Sequence, residues 1–329
     1  MTSIQAPEDL LARLRAIRHL IVTSHANPDG DAIGSELGIA RILRSLGKSV
    51  TIWNADPAPS IYSSLPGFDR IHVGQKPPSR FSETVEAVLV LECPNVERTG
   101  LEAHFGDLPL LNVDHHLGNQ HYGIVNWIDT AAPAVGELVF HLARSMAHPI
   151  DSDTATCLYL ALASDTGGFR FSNTTPRAFQ TAASLVELGA SPERVAGWLF
   201  ESRPLAMMKV LVSMMATLDL REKGRLCAVH VTDSMYAKAG ASSTDTEGLI
   251  DYPRAIAGVD VVALFRELSD GKYKVSLRSR GETANVESVA RLHGGGGHRN
   301  AAGFSIDGTF EEIKDRVLKD LGAALEAGA

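Results

Sequence analysis

The sequence is poor in the features that mark secreted, membrane-spanning or nucleic-acid-coating proteins. It has three cysteines, Cys93, Cys157 and Cys227, far apart and with no CxxC pair. An odd, sparse set argues against a disulfide framework and fits a reducing cytosol. No apolar run approaches the ~20 residues of a membrane span. The opening segment MTSIQAPEDLLARLRAIRHL carries acids and bases through its first turns and lacks the apolar core of a signal peptide. A soluble, cytoplasmic protein is therefore expected. Basic charge is also short, with 31 Lys and Arg against 39 acids and a net charge of −8. Proteins that coat long nucleic acids show a broad basic surface. Any nucleic-acid substrate should thus be a short piece gripped in a local pocket. There is no internal repeat and no low-complexity tract.

What is present reads as a globular chain of 329 residues, 44% hydrophobic and 21% charged. That composition excludes a disordered tail, a collagen-like fibre and a small disulfide scaffold. At ~150 residues per domain, the length predicts two domains. In the first half, short apolar runs alternate with helical patterns. Strands are expected at LIVTS within His19–Ser24, and at Ser49–Trp53, Ala87–Leu91 and Leu108–Val113. Helices are expected at Ile33–Leu46, Val135–Ala147 and Asp153–Ser164. This alternation predicts an α/β domain built on a mostly parallel sheet. A helix-rich stretch runs from Thr175 to about Leu218, and its methionines read as core packing. Strands of a second sheet follow at Leu226–Thr232, Val259–Glu267 and Tyr273–Ser279, then an amphipathic helix at Thr309–Leu325. The expected division is a domain over 1–190, a helical linker over 191–219 and a smaller α/β domain over 220–329, with a cleft between the domains.

The strongest local signal is His25-Ala-Asn-Pro-Asp29-Gly-Asp31, directly after a strand and directly before a helix. Ligand sites of open α/β sheets lie just beyond the carboxyl ends of strands. One imidazole and two carboxylates within seven residues suit a divalent cation, and an oxygen-rich set with some nitrogen suits Mn²⁺ or Mg²⁺. Pro28 and Gly30 bend the loop so that the carboxylates can converge. The plainer reading is a polar turn whose aspartates cap the helix. Three more polar groups end apolar elements: Asp114-His115-His116 after LPLLNV, Glu92 after AVLVL, and Asp165 after a long apolar helix. Asp29, Asp31, Glu92 and Asp165 supply four negative charges, which two divalent cations would balance. Without metal, carboxylates packed this closely raise one another's pKa. The pattern makes physical sense as a two-metal cage for phosphoryl transfer.

HxxxDxD, a strand-end acid, DHH and a later Asp resemble the DHH phosphoesterase family. The run Gly294-Gly-Gly-Gly-His298-Arg-Asn-Ala-Ala-Gly303 resembles the glycine motif of its DHHA1 domain. The pairing covers nearly the whole chain and is most similar to the compact bacterial branch of nanoRNases and pAp phosphatases. By the resemblance, His25 and Asp29 hold one metal, Asp31, His115 and Asp165 hold the other, and Glu92 bridges them. His116 faces the scissile phosphate as stabiliser or proton donor, and Asp114 orients a histidine. Arg98 stands where the family tends to have a phosphate-contacting arginine, with a surface salt bridge as the alternative. One departure matters: the family usually has Asp where this chain has Glu92. The extra methylene lets it bridge if the strand end sits slightly back, the alternative being that it binds only one metal.

The second domain supplies a substrate grip. Residues 272–299 hold six Lys and Arg (Lys272, Lys274, Arg278, Arg280, Arg291, Arg299) against Glu282 and Glu287. Consecutive glycines let backbone N–H groups of Gly295, Gly296 and Gly297 approach an anion, since no Cβ intervenes. His298 and Arg299 add donors, and Arg278 is expected to stack on a base or clamp a terminal phosphate. His293 stays undecided, and Cys93 reads as a buried small residue. The resemblance implies metal-dependent hydrolysis of very short RNA or of 3′-phosphoadenosine 5′-phosphate. Linear dinucleotides such as pApA or pGpG are an alternative substrate that the same residues serve. A catalytically weak nucleotide-binding sensor is the alternative of another class, resting on Glu92. The resemblance is compatible with a homodimer, and the sequence marks no interface.

Overall fold

The computed structural model describes residues 4–79, 81–242, 248–268 and 271–328. The chain divides into two compact units, Met1–Ser202 and Arg203–Ala329. The first is built on a six-stranded, wholly parallel sheet of order β3-β2-β1-β4-β5-β6. Its strands are β1 His19–Thr23, β2 Ser49–Asn54, β3 His72–Val73, β4 Ala87–Leu91, β5 Leu110–Asp114 and β6 Val125–Ile128. The sequence pattern anticipates β1, β2, β4 and β5. It does not anticipate β3, only two residues long, or β6, whose burial alternates. Strand order reverses between β1 and β4, and doubly wound sheets bind ligands where the order reverses. The chain leaves β1 toward His25 and leaves β4 at Glu92.

Helices α1 Glu8–Ala16, α2 Gly30–Ser45, α5 Val135–Ser145, α6 Ser152–Asp165 and α7 Pro176–Glu187 bury the sheet face that carries Leu20, Val22, Leu89 and Leu91. The short helices α3 Phe81–Thr84 and α4 Glu102–Phe105 and their loops cover the other face, around Ile21, Trp53, Val88 and Val90. Helix α8, Pro192–Ala196, ends the unit's regular helices. Glycines at four-residue spacing make α2 and α6 one tight pair. A Cβ on Gly34 would lie 2.4 Å from the Cys157 carbonyl oxygen, and one on Gly38 would lie 2.5 Å from Leu158 Cδ2. This close approach brings the end of α6, with Asp165, up to the start of α2, with Asp31.

The second unit holds a six-stranded mixed sheet of order β11-β12-β10-β9-β8-β7. Its strands are β7 Asp219–Arg221, β8 Leu226–Val231, β9 Val261–Glu267, β10 Lys272–Ser279, β11 Gly296–His298 and β12 Ala301–Asp307. Only the β8–β9 pair is parallel. Helices α9 Leu205–Met215 and α10 Asp233–Ala239 pack on one face around Val229, Val262 and Leu264. Helices α12 Val286–Leu292 and α13 Phe310–Ala327 pack on the other, around Val275, Leu277 and Phe304, while the short α11 Asp251–Arg254 precedes β9. The helical stretch 191–219 is thus shared, with α8 in the first unit and α9 in the second. The glycine run is not an open loop. Gly296–His298 is the edge strand β11, paired to β12 through a turn at Arg299 and Asn300. No helix among the described residues is long and apolar enough to cross a membrane.

Candidate metal centre

Each candidate ligand stands at or near the end of an element of the first unit, and all but Glu92 are held from behind. After β1, His25 sets its Nδ1 2.8 Å from the Ala26 carbonyl oxygen. Asp29 caps α2, its Oδ1 accepting the Ala32 N–H at 3.0 Å. Asp31 is fully buried in the first turn. Its Oδ2 accepts the Val135 N–H at 2.7 Å, and its Oδ1 accepts the Gly136 N–H at 3.0 Å and the Ser35 hydroxyl at 2.9 Å. The start of α5, with its unsatisfied amides, therefore points at this carboxylate. After β5, His115 Nδ1 lies 3.0 Å from the Ala132 carbonyl oxygen, and His116 Nδ1 lies 2.8 Å from Asp114 Oδ1. Asn119 donates to the other oxygen of Asp114 at 2.7 Å. At the end of α6, Asp165 Oδ2 accepts from Asn173 Nδ2 at 3.1 Å. Glu92, just past β4, has φ 52°, a left-handed conformation that is costly for a non-glycine residue.

These side chains converge. His25 Nε2 lies 2.7 Å from Glu92 Oε2, while His115 Nε2 and His116 Nε2 lie 3.6 and 3.5 Å from Glu92 Oε1. His115 Nε2 is 3.9 Å from Asp165 Oδ2. Three groups have ligand atoms within 4.8 Å of one another: His25, Asp29 and Glu92; Asp31, His115 and Asp165; and Glu92, His115 and His116. The first two are the sets named from the sequence for the two metals, and Glu92 stands between His25 and His115.

The donor set fits a cation on the structure's own terms. With the Nδ1–H groups of His25 and His115 given to carbonyls, neutral rings turn their Nε2 lone pairs toward carboxylates. The buried Oε2 of Glu92 has no hydrogen-bond donor in good geometry. Positive charge must lie between these groups, as protons on the rings or as metal. Without a metal, protons would do it. Burial opposes charge on His25, but Glu92 and Asp29 push it up to about 10. Burial raises Asp165 to about 7 despite His115, and raises Asp29 and Asp31 with help from Glu92. Glu92 is also buried, yet His115 and His25 hold it well below the ordinary range.

The remaining sequence candidates lie elsewhere. Arg98 has an exposed side chain, while its carbonyl accepts the Ala26 N–H at 2.6 Å and anchors the His25 loop. Arg278, Gly295, Gly296, Gly297, His298 and Arg299 belong to the second unit. Two of these glycines are explained by packing. A Cβ on Gly295 would meet the Gly303 carbonyl at 2.2 Å, and one on Gly297 would meet the Ala301 carbonyl at 2.4 Å. Arg299 pairs at the surface with Glu282, at 2.7 Å. His293 is structural, stacked on Phe304 and 3.0 Å from Asp320 Oδ2. Burial pushes the Cys93 thiol up to about 12, as expected of an inert residue.

Register shows what the glycine hairpin builds. Leu277, Val275, Ala302 and Phe304 enter the core, so the opposite face carries the alternating residues. His298, Ala301 and Arg278 form one row there, and Gly296, Gly303 and Ser276 the next. Ser305, Lys274 and Arg266 follow. Small residues floor this surface and cations edge it. Arg278 donates to the Leu277 carbonyl at 3.0 Å, and the Asp251 carboxylate attracts it. Burial, with Arg254 and Arg266 nearby, outweighs the Asp251 carboxylate and holds its pKa below the ordinary value. The sequence reading missed the groups that hold the ligands: Ser35, Asn119, Asn173, the Ala132 carbonyl and two amides of α5. Backbone groups leave no sequence signature, and the two asparagines gain meaning only once folding places them.

Residues 19–162 match the N-terminal domain of the DHH family, and residues 224–327 match the DHHA1 domain. A bifunctional oligoribonuclease and PAP phosphatase, NrnA, of Thermus thermophilus is 31% identical over 303 residues, covering 91% of this chain and 88% of that protein. Its namesake in Bacillus subtilis is 29% identical, covering 95% and 96%. An exopolyphosphatase-related protein of Bacteroides fragilis shares the fold, with a TM-score of 0.90 at 22% identity over 99% of this chain and 100% of that one. The chain belongs to the DHH/DHHA1 family of phosphoesterases, in the branch of the NrnA-type oligoribonucleases and PAP phosphatases.

Proposed function

We propose that this chain is a metal-dependent phosphoesterase that hydrolyses very short RNA oligonucleotides and 3′-phosphoadenosine 5′-phosphate. The relatives named above carry both activities in their names. The observation that carries the reading is the convergence of five ligand-bearing side chains on Glu92 and His115. His25, Asp29 and Glu92 would hold one divalent cation, Asp31, His115 and Asp165 the other, with Glu92 between them. We favour Mn²⁺ over Mg²⁺ because imidazole nitrogen joins carboxylate oxygen in both sets. Such a metal pair, when bound, acidifies a water and stabilises charge on phosphoryl oxygens.

The chain's own groups do the rest. Asp114, itself held by Asn119, fixes the His116 ring through Nδ1 and leaves Nε2 facing the centre. His116 is then placed to pass a proton to the leaving oxygen. In the second unit, Arg278 would clamp a phosphate, with His298 beside it. Gly296, Gly303 and Ser276 leave room for the nucleotide to lie flat. Arg299 contributes less, since it would have to leave Glu282. Arg98 is assigned to the loop through its backbone first and to phosphate second. Cys93, Cys157 and Cys227 are buried free thiols, which suits a cytoplasmic enzyme. A homodimer, compatible with the family resemblance, completes the proposal.

A chromatographic time course tests the reading. Purified protein with Mn²⁺, or with EDTA, is offered 3′-phosphoadenosine 5′-phosphate, pApA and a long single-stranded RNA. Metal-dependent release of AMP from the two short substrates, with the long RNA spared, is the expected result. Turnover of pApA alone would move the assignment to linear dinucleotides. No turnover by folded, metal-loaded protein would leave the nucleotide sensor, and restored activity in Glu92→Asp would identify the cause.

A further inference from the structure

We infer that Arg177 is a positioning residue for the metal centre, acting through ion pairs that clamp the segment 129–137 at both ends. The inference rests on the metal-dependent reading above. Arg177 lies in the first turn of α7. Its Nη2 is 2.7 Å from Asp129 Oδ2, just after β6, and its Nε is 2.6 Å from Glu137 Oε2, in the first turn of α5. Glu137 is fully buried, and its other oxygen accepts the Thr181 hydroxyl at 2.9 Å. One guanidinium therefore bridges the two ends of a short stretch of chain.

That stretch holds His115 and Asp31 directly and reaches Asp165 through Asn173. The Ala132 carbonyl lies 3.0 Å from His115 Nδ1. The Val135 and Gly136 amides hold both oxygens of Asp31. The Pro133 carbonyl accepts from Asn173 Nδ2 at 3.0 Å, and the same nitrogen holds Asp165 Oδ2 at 3.1 Å. At its start, the Asp129 N–H donates to the Asp114 carbonyl at 3.0 Å. None of the clamp carboxylates belongs to a metal-binding group. Burying such a pair is a poor way to gain stability, because desolvation offsets the attraction. Fixing a geometry is what a forked, rigid guanidinium does well. The clamp should therefore govern the Asp31, His115 and Asp165 set and leave the His25 and Asp29 set alone.

The test measures Mn²⁺ binding by the electron paramagnetic resonance signal of free Mn²⁺, alongside melting in EDTA. It compares the wild type with Arg177→Lys and with the double variant Arg177→Met/Glu137→Gln, which removes the half-buried cation and its buried partner together. The wild type is expected to bind two ions. The double variant should bind one ion with an unchanged midpoint and need about tenfold more Mn²⁺ for the second, the size of effect typical of groups that hold ligands. Arg177→Lys should fall between. A merely structural role would lower the melting temperature without separating the two midpoints. Two unchanged midpoints in the double variant would overturn the inference. If that variant does not fold, an unchanged second midpoint in Arg177→Lys overturns it instead. A folded wild type that binds no Mn²⁺ would sink the metal-dependent reading itself.

Discussion

Both units wrap helices around a six-stranded sheet, yet they carry their charges in opposite ways. In the first, Asp29, Asp31, Glu92 and Asp165 crowd together at one edge, Asp31 and Glu92 buried and the other two half-buried, in need of positive charge. In the second, Arg266, Lys274 and Arg278 spread across a sheet face floored by glycine, alanine and serine. The difference follows from strand direction. Parallel strands present all their carboxyl ends at one edge, so polar groups after β1, β4 and β5 meet there, with Asp114 at the tip of β5 behind them. Antiparallel neighbours end at opposite edges. A site there has to use the face, and a smooth face requires small side chains.

Six substitutions, in four steps, would break or sharpen this contrast. Asp31→Ala or His115→Ala should have the largest effect, lowering turnover ~10³-fold or more while circular dichroism stays native. Near wild-type rates would refute the edge as the reacting site. Next is Glu36, buried behind the edge in α2, its Oε2 accepting from Asn54 Nδ2 at 2.8 Å. Burial lifts it from 4.5 to about 7. Its stabilising, protonated form is complete below the unfolded value and is lost as pH rises through the folded one. Glu36→Gln should therefore melt close to wild type near about pH 5 and above it near about pH 8, by up to ~3 kcal/mol. An equal difference at both pH values would show that Glu36 is not strained by burial. Gly34→Ala, whose Cβ would press on the Cys157 carbonyl, should cost about 1–3 kcal/mol. Wild-type melting would mean that α2 and α6 can part cheaply. The smallest effect separates two arginines of the second unit. Arg278→Ala should raise KM about tenfold (~1.4 kcal/mol) with kcat nearly kept, and Arg299→Ala should raise it less, because an exposed pair contributes little. The reverse order would mean that the hairpin tip, not the sheet face, holds the substrate.

Much of the first unit can be read from the chain because its signals are local. LIVTS and AVLVL are buried runs, and the residues after them are polar. HxxxDxD packs three ligand candidates into one turn and the start of one helix. Other parts depend on contacts distant in sequence. β6 alternates burial and has no long apolar run. β11 is mostly glycine, a poor strand former. It is a strand because β12 folds back on it and leaves no room for a Cβ at Gly295 or Gly297. Arg299 looks available for an anion until Glu282, distant in sequence, comes alongside. The apolar stripe of α9 reads the same whichever unit it joins, so the division at Ser202 and Arg203 is set by packing partners. Arg177, forty-eight residues from Asp129, carries no local mark of its clamp.

The backbone at Glu92 has one more consequence. Its left-handed turn is the conformation glycine adopts at no steric penalty, and a longer side chain there costs about 1–3 kcal/mol. The position that gathers His25, His115 and His116 is thus written against its local preference. A library selected only for thermal robustness should drift toward glycine at this site and lose catalysis as it gains heat tolerance. The trade-off between durability and chemistry in this protein is concentrated in a single residue at the end of β4.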